Sequence, residues 1–251
     1  MATERDKPVW FLADLASAFG LLSRLPLPQT RHHRAQACWA WPVVGLVVGA
    51  LATAAGWVAM AIGLPVGLAA ALVLAVGAMA TGALHEDGLA DTADGLFGGW
   101  TRERRLEIMK DSHIGSYGTL ALFMVSLAAW SVLQTLLEAG AHTSIVVAAA
   151  LSRAPMALIM ALLPHARSSG LSHSVGRPPV AVALLAALLA LLVAVPLGAV
   201  GATMATAAAF AGLGVALLAR AKIGGQTGDI LGASQQMAWL AALASSAAWL
   251  P

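Results

Sequence analysis

The sequence predicts an all-α fold: a polytopic bundle embedded in a lipid bilayer, with about seven transmembrane helices and an N-terminal amphipathic helix lying in the interface. Three observations predict it. Only 10% of the 251 residues are Asp, Glu, Lys or Arg and 59% are hydrophobic, whereas soluble domains carry roughly 25% charged residues. Apolar runs of about 20 residues, the length that crosses a hydrocarbon core, recur between charges or Pro and Gly. The Lys and Arg residues collect in alternate connections between those runs.

The first apolar stretch, 9–22, is interrupted by Asp14 and followed by no Ala-x-Ala cleavage site, so a secretory leader fits poorly. Phe11, Leu15, Phe19 and Leu22 recur at helical spacing, which predicts the interfacial helix, ended by Pro26 and Pro28. Spans are expected at 41–62, 65–84, 118–137, 143–163, 179–200, 201–219 and 231–250. Gly63-Leu64-Pro65 turns the first into the second. The last run contains Ser234, Gln235 and Gln236 and is the least apolar. With seven spans and an internal N-terminus, the inner segments hold Arg5, Lys7, Arg24, Arg31 and Arg34, then Arg102, Arg104, Arg105 and Lys110, then Arg167 and Arg177, then Arg220 and Lys222. No Lys or Arg is left for an outer turn, and only Arg153 falls inside a span. Because basic residues favour the cytoplasmic side, the expectation is a bacterial inner-membrane protein with those segments facing the cytoplasm. Residues 1–251 read as one domain.

Composition excludes other classes. A single cysteine, Cys38, cannot build a disulfide framework or a cysteine zinc site. A net charge of +2 gives no electrostatic footprint for nucleic acid, so none is expected as partner. Homo-oligomerisation is left open.

The acidic residues are concentrated. Of twelve, seven (Glu86, Asp87, Asp91, Asp94, Glu103, Glu107 and Asp111) occupy one short stretch after the second span. If that span's helix continues, Asp87, Asp91 and Asp94 fall within an arc of roughly 60°, and like charges so placed destabilise a helix unless something positive compensates them. One reading is a solvated helix end paired with Arg102, Arg104 and Arg105. The other is a divalent-cation site: oxygen ligation favours Mg²⁺, and Gly98 and Gly99 permit close approach of a substrate. Mg²⁺ held by few carboxylates completes its shell with water and phosphate, so phosphoryl transfer is the expected chemistry, with Arg102, Arg104, Arg105 and Lys110 as candidate clamps.

Two partial motifs fail. His85-Glu86 starts a zinc motif whose second histidine is Leu89. Asp91-Thr92-Ala93-Asp94-Gly95 is similar to the opening of the CDP-alcohol phosphotransferase signature but lacks the Ala-Arg that should follow. A second cluster, Lys110-Asp111-Ser112-His113, offers an acid and a proton carrier. A third, Gly224-Gly225-Gln226-Thr227-Gly228-Asp229, suits phosphate or metal contact by Gln226, Thr227 and Asp229, or simply a helix N-cap. Arg153 is a functional candidate because charge inside a span is costly, with substrate or a carboxylate as its partner.

The segment His85-Glu-Asp-Gly-Leu-Ala-Asp-Thr-Ala-Asp-Gly-Leu-Phe-Gly-Gly99, then Arg105-Leu-Glu-Ile-Met-Lys-Asp-Ser-His-Ile-Gly-Ser-Tyr-Gly118, then Gly224-Gly-Gln-Thr-Gly-Asp-Ile-Leu-Gly-Ala233, resembles the cobalamin synthase family, the adenosylcobinamide-GDP ribazoletransferases. Ser23-Arg-Leu-Pro-Leu-Pro28 resembles that family's N-terminal segment, so the likeness covers the whole chain. It implies a Mg²⁺-dependent membrane enzyme of the last stage of adenosylcobalamin assembly. A ribose hydroxyl of α-ribazole or its 5′-phosphate attacks the cobinamide-bearing phosphate of adenosylcobinamide-GDP and releases GMP. On that reading Glu86, Asp87, Asp91 and Asp94 are metal candidates, and Asp111 or His113 takes the hydroxyl proton. Arg105 or Lys110 steadies the leaving GMP. The remaining alternatives are a CDP-alcohol phosphotransferase-like enzyme on another activated substrate and an ion-coupled transporter; for the latter neither an inverted repeat nor midplane acids is evident.

Overall fold

The computed structural model describes residues 7–27 and 33–250, of which side chains are described from residue 11. Arg5, Pro28 and Arg31 lie outside the described residues. The described chain is helical throughout, with one isolated bridge, His165 to Gln226, in place of strands. Helix α1 (Lys7–Leu22) leads to a short 3₁₀ turn (Ala35–Ala40) and then α2 (Trp41–Ala61), α3 (Val66–Thr81), α4 (Leu84–Gly98) and α5 (Arg102–Ile108). After these come α6 (Ser116–Glu138), α7 (His142–Leu151), α8 (Arg153–Leu162), α9 (Leu171–Val175), α10 (Val180–Ala194), α11 (Gly198–Ile223) and α12 (Gly228–Ala247).

Every stretch expected to span is helical. By length and hydropathy four described helices can cross a membrane: Ala35–Ala61, Ser116–Glu138, His142–Leu162 and the run Val180–Ile223. A fifth arises if α3 and α4 count as one broken span. Two causes separate this from seven. The segments 179–200 and 201–219 form a single apolar run of 44 residues, which doubles back at Pro196 and the left-handed Gly198 so that α10 and α11 pack on each other and both on α8. The segment 231–250 becomes α12, a central helix against α4, α6, α7, α8 and α11, with Ser234, Gln235 and Gln236 all buried. It faces protein instead of lipid, which is why its polarity is tolerated.

Small residues set the helix spacing. A Cβ at Gly45 or Gly49 would strike Ala149 of α7, and one at Gly56 would strike Val73 of α3. The interfacial stripe expected on α1 is partly redirected. Phe11 is exposed but stacks on Trp39 at 4.8 Å, while Ala18, Leu21 and Leu22 are buried. Asp14, which interrupts the apolar run, accepts from Trp39 Nε1 at 3.1 Å and pairs with Arg34 at 3.3 Å.

The feature that positions the site is the bend after α3. Gly82 (φ 66°) and Ala83 (φ 56°) are both left-handed, and Ala83 is the one non-glycine with positive φ among the described residues. They turn α4 by 91° from α3, so α4 runs across the end of the bundle. Hydrogen bonds gather the basic connections at this same end: the Arg24 N–H donates to Ala80 O, Arg102 to Ile223 O and Ala166 O, and Lys222 to Leu96 O.

Left-handed backbone costs an L-residue roughly 1–2 kcal/mol, least for glycine and most for a β-branched side chain. Ala83→Gly is therefore expected to be neutral or stabilising by up to about 1 kcal/mol and Ala83→Val destabilising by about 1–2 kcal/mol, read by thermal unfolding in detergent micelles.

Candidate functional site

The site is built where α4 crosses the first turns of α12. A Cβ on Gly88 would lie 2.9 Å from Asp229 O and 3.1 Å from Gly232 Cα, and one on Gly232 would lie 3.2 Å from Gly88 Cα. This glycine-on-glycine contact lets the backbones approach and sets Asp87 and Asp91 of α4 beside Asp229 of α12. Asp87, Asp229 and Arg167 line a cavity of about 220 Å³ closed by Leu22, Trp41 and Met160. Arg167 Nη2 pairs with Asp229 at 3.1 Å, its Nη1 is buried without a protein partner, and the Thr227 hydroxyl donates to the same Asp229 oxygen at 3.1 Å.

The electrostatics are those of a site short of positive charge. Burial, then the charges of Asp229, Asp87 and Asp94, push the Asp91 carboxyl up to about 7. Burial also raises Asp229, with Arg167 opposing and Asp87 adding to the rise.

The four expected metal ligands are divided. Asp87 and Asp91 face this cluster. Asp94 has both carboxylate oxygens committed: Oδ2 accepts from Gly115 N at 2.7 Å and Oδ1 from Gly118 N at 2.9 Å. It is a buried latch for the first turn of α6, and a Cβ at Gly115 or Gly118 would collide with it. Glu86 points elsewhere, into a second cavity with Arg153, where its Oε1 accepts from Gln236 Nε2 at 2.9 Å. Among the described residues no group of three or more His, Cys, Asp or Glu is placed to hold a metal ion. The donor set that remains, Asp87 and Asp229 with Asp91 beside them, fits Mg²⁺ of the kind carried by one or two carboxylates with substrate phosphates completing the shell.

The expected clamps are mostly fasteners. Arg102 donates to Ile223 O at 2.8 Å and Ala166 O at 2.7 Å, while Arg105 donates to Gly99 O at 2.9 Å and Lys222 O at 3.0 Å. Both satisfy carbonyls at the C-terminal end of α11, where cations are favoured. Arg104 pairs with Glu107 at 2.7 Å on the surface, and Lys110 is exposed. Gly99 is a packing glycine, since a Cβ there would meet Arg105 at 2.6 Å, and Gly98 faces Ile108 and Tyr117. Gln226 is buried and stitched in place, accepting from Ser172 Oγ at 2.6 Å and donating to His165 Nδ1 at 2.9 Å. Thr227 caps α12 by accepting from Ile230 N. Asp111 and His113 pair at 2.7 Å on the open α5–α6 connection, lining a different depression from Asp87 and Asp229. Arg153, in the second cavity, donates to Ala149 O at the junction of α7 and α8. Arg167 is the residue that sequence reasoning missed; its one signal was being a basic residue in the connection before the third cluster.

A family model described as cobalamin-5-phosphate synthase matches residues 14–247. The adenosylcobinamide-GDP ribazoletransferase of Bradyrhizobium diazoefficiens is 44% identical over 248 residues, covering 95% of this chain and 94% of the relative. That of Mesorhizobium japonicum is 43% identical over 245 residues, covering 94% and 93%, and that of Brucella ovis 43% over 249 residues, covering 92% and 95%. No solved structure matches the chain.

Asp94→Asn leaves one buried backbone N–H unpaired, so it is expected to lower stability by about 1–3 kcal/mol, equally with and without Mg²⁺ in thermal unfolding. The hydrogen bond and charge of Asp111 raise the His113 pKa, and those of His113 lower that of Asp111. Their attraction is therefore present below the ordinary histidine range and lost as pH rises through the raised value. Titration of His113 by NMR is expected to show this, and Asp111→Asn to return it to the ordinary range.

Proposed function

The chain belongs to the cobalamin-5-phosphate synthase family, and from that premise we propose that it is an adenosylcobinamide-GDP ribazoletransferase, an enzyme of the final step of cobalamin biosynthesis. The observation that carries this reading is the crossing of α4 and α12, which assembles Asp87, Asp229 and Arg167 from three separate stretches of sequence into one cavity, with Asp91 close enough to feel their charges. Such a set recognises a diphosphate through a hard cation and a guanidinium.

In the proposed reaction a ribose hydroxyl oxygen of the acceptor bonds to the phosphorus that carries cobinamide. The bond from that phosphorus to the bridging oxygen breaks, and GMP leaves with the electron pair. Asp87 and Asp229 would hold Mg²⁺, which when bound neutralises charge on the diphosphate. Arg167, with Nη1 unpartnered, donates to a phosphoryl oxygen. Asp91 takes the hydroxyl proton: it is the carboxylate beside the Asp87–Asp229 pair that is left without a metal or Arg167 to hold, and its burial favours taking up a proton. Asp111 and His113 stand apart from this cavity, which favours Asp91 for the role.

The distribution of basic residues supports an orientation. From Arg24 onward, the end of the bundle that holds this site carries every described Lys and Arg except Arg153, whereas the opposite turns, 62–65, 139–141 and 195–198, carry none. By the positive-inside rule the site faces the cytoplasm of a bacterial inner membrane.

The test is turnover in nanodiscs with adenosylcobinamide-GDP, α-ribazole or its 5′-phosphate, and Mg²⁺, with GMP and corrinoid product separated chromatographically. GMP is expected in proportion to product. Asp87→Asn and Asp229→Asn are expected to lose on the order of 10²-fold or more in rate, partly restored by raised Mg²⁺. Asp91→Asn is expected to lower kcat by about 10²–10⁴-fold without changing the Mg²⁺ requirement. Corrinoid movement across sealed vesicles without GMP would instead identify a transporter.

A further inference from the structure

Helix α4 borders two cavities, and the proposed reaction uses one. On its other side a cavity of about 420 Å³ lies within the bundle among α2, α3, α6, α7 and α12, a volume suited to a small organic ligand. Its polar lining is pre-arranged. Glu86 is held by Gln236 Nε2, while Gln235 Nε2 donates to Ser152 Oγ at 3.0 Å, and Ser152 also accepts from Arg153. Each group keeps one atom unspent: His85 Nε2, Glu86 Oε2, Arg153 Nε and Gln235 Oε1 are buried without a protein partner. His85, Arg153 and Gln235 are all at least 96% buried.

The open valences define a ligand. Glu86 Oε2 and Gln235 Oε1 need donors, Arg153 Nε–H needs an acceptor, and the histidine nitrogen serves as either. The charges of Glu86 and Arg153 offset one another across the cavity, so an uncharged occupant is favoured. The other walls are mostly apolar, built of alanine, glycine and branched aliphatic side chains with Trp239 and the hydroxyls of Thr81 and Ser126, which suit a flat apolar ring. Two hydroxyl donors and a heterocyclic nitrogen acceptor on an apolar bicycle describe a ribonucleoside with a benzimidazole-type base. Of the two substrates in the proposed function, the corrinoid is too large for this volume and its GDP group is an anion.

We propose that this intramembrane cavity seats the base and ribose of the acceptor nucleoside, with the ribose at the His85–Glu86 end of α4. The proposal rests on the ribazoletransferase reading and places the acceptor opposite the donor's phosphates. His85 lines both cavities and so marks where the two meet. Of its lining, Ala75 of α3 and Ser126 of α6 are exposed, so on this proposal the nucleoside reaches its seat between those two helices, from the bilayer flank, without crossing the diphosphate site.

Equilibrium dialysis of radiolabelled α-ribazole against the protein in nanodiscs tests this without turnover. Gln235→Leu removes one acceptor, and Ala75→Phe fills the cavity from its mouth while leaving every polar group in place. Each is expected to weaken α-ribazole binding about tenfold or more, the scale of one or two lost hydrogen bonds or of steric exclusion. The KM for α-ribazole should rise in parallel, with the KM for adenosylcobinamide-GDP and the Mg²⁺ requirement unchanged. If both variants unfold at the wild-type temperature and bind α-ribazole as tightly as wild type, the proposal is overturned. The same holds if Ala75→Phe merely expels a bound lipid. Loss of binding in the variants of a protein that makes no GMP would uphold this seat and count against the transferase reading instead.

Discussion

The site depends on one contact, the glycine-on-glycine crossing of α4 and α12 at Gly88 and Gly232. With no side chain on either residue, the two backbones come within ordinary van der Waals distance. A wider crossing would carry Asp229 away from Asp87 and Asp91 and open the cavity that Arg167 closes. The contact in turn requires α4 to lie across the bundle end, and that follows from the two left-handed residues, Gly82 and Ala83. A bend placed in a break of two residues thus converts what reads as the continuation of a span into a platform.

The scarcity of charge makes the use of each charge informative. Arg102, Arg105 and Lys222 tie α4 and α5 to the end of α11 through main-chain carbonyls, and Asp94 ties α4 to the start of α6 through two main-chain amides. These charges hold the C-terminal part of the platform, at Asp94, Leu96 and Gly99. The carboxylates left over, Asp87, Asp91 and Asp229, face one cation, Arg167, and that imbalance adds to the effect of burial in raising the Asp91 carboxyl. A negative surplus fixed in a rigid frame is a standing demand for positive charge, which a phosphate substrate brings with its counter-ion.

Much of this was legible in the sequence. Span-length apolar runs follow directly from the thickness of a bilayer, and the acidic stretch was recognisable because charge is so rare elsewhere. What could not be read was the division of labour within the stretch. Helical periodicity puts Asp87, Asp91 and Asp94 on one face, but it cannot say that the glycines of 115–118 would arrive to occupy Asp94. Nor can spacing foresee that Arg105 satisfies a carbonyl more than a hundred positions away, or that Arg167 approaches Asp229 across a connection with no periodic signal. Local pattern reports which face a residue is on; tertiary contacts decide whether its valences are already spent.

That distinction also separates the two sides of α4. Glu86 and Asp87 are neighbours in sequence, and one helical step turns them about 100° apart, enough to place them in different cavities. Asp87 joins an anionic cluster at the bundle end, where solvent and ions arrive easily. Glu86 joins a charge-balanced, mostly apolar chamber within the bundle. A reaction between a polyanionic donor and the uncharged base and ribose of an acceptor nucleoside needs two such environments side by side, since either group would be poorly solvated in the other's seat. A single amphipathic helix laid across the end of a membrane bundle supplies both, with His85 at their boundary, and this accounts for why acidic residues cluster on that helix.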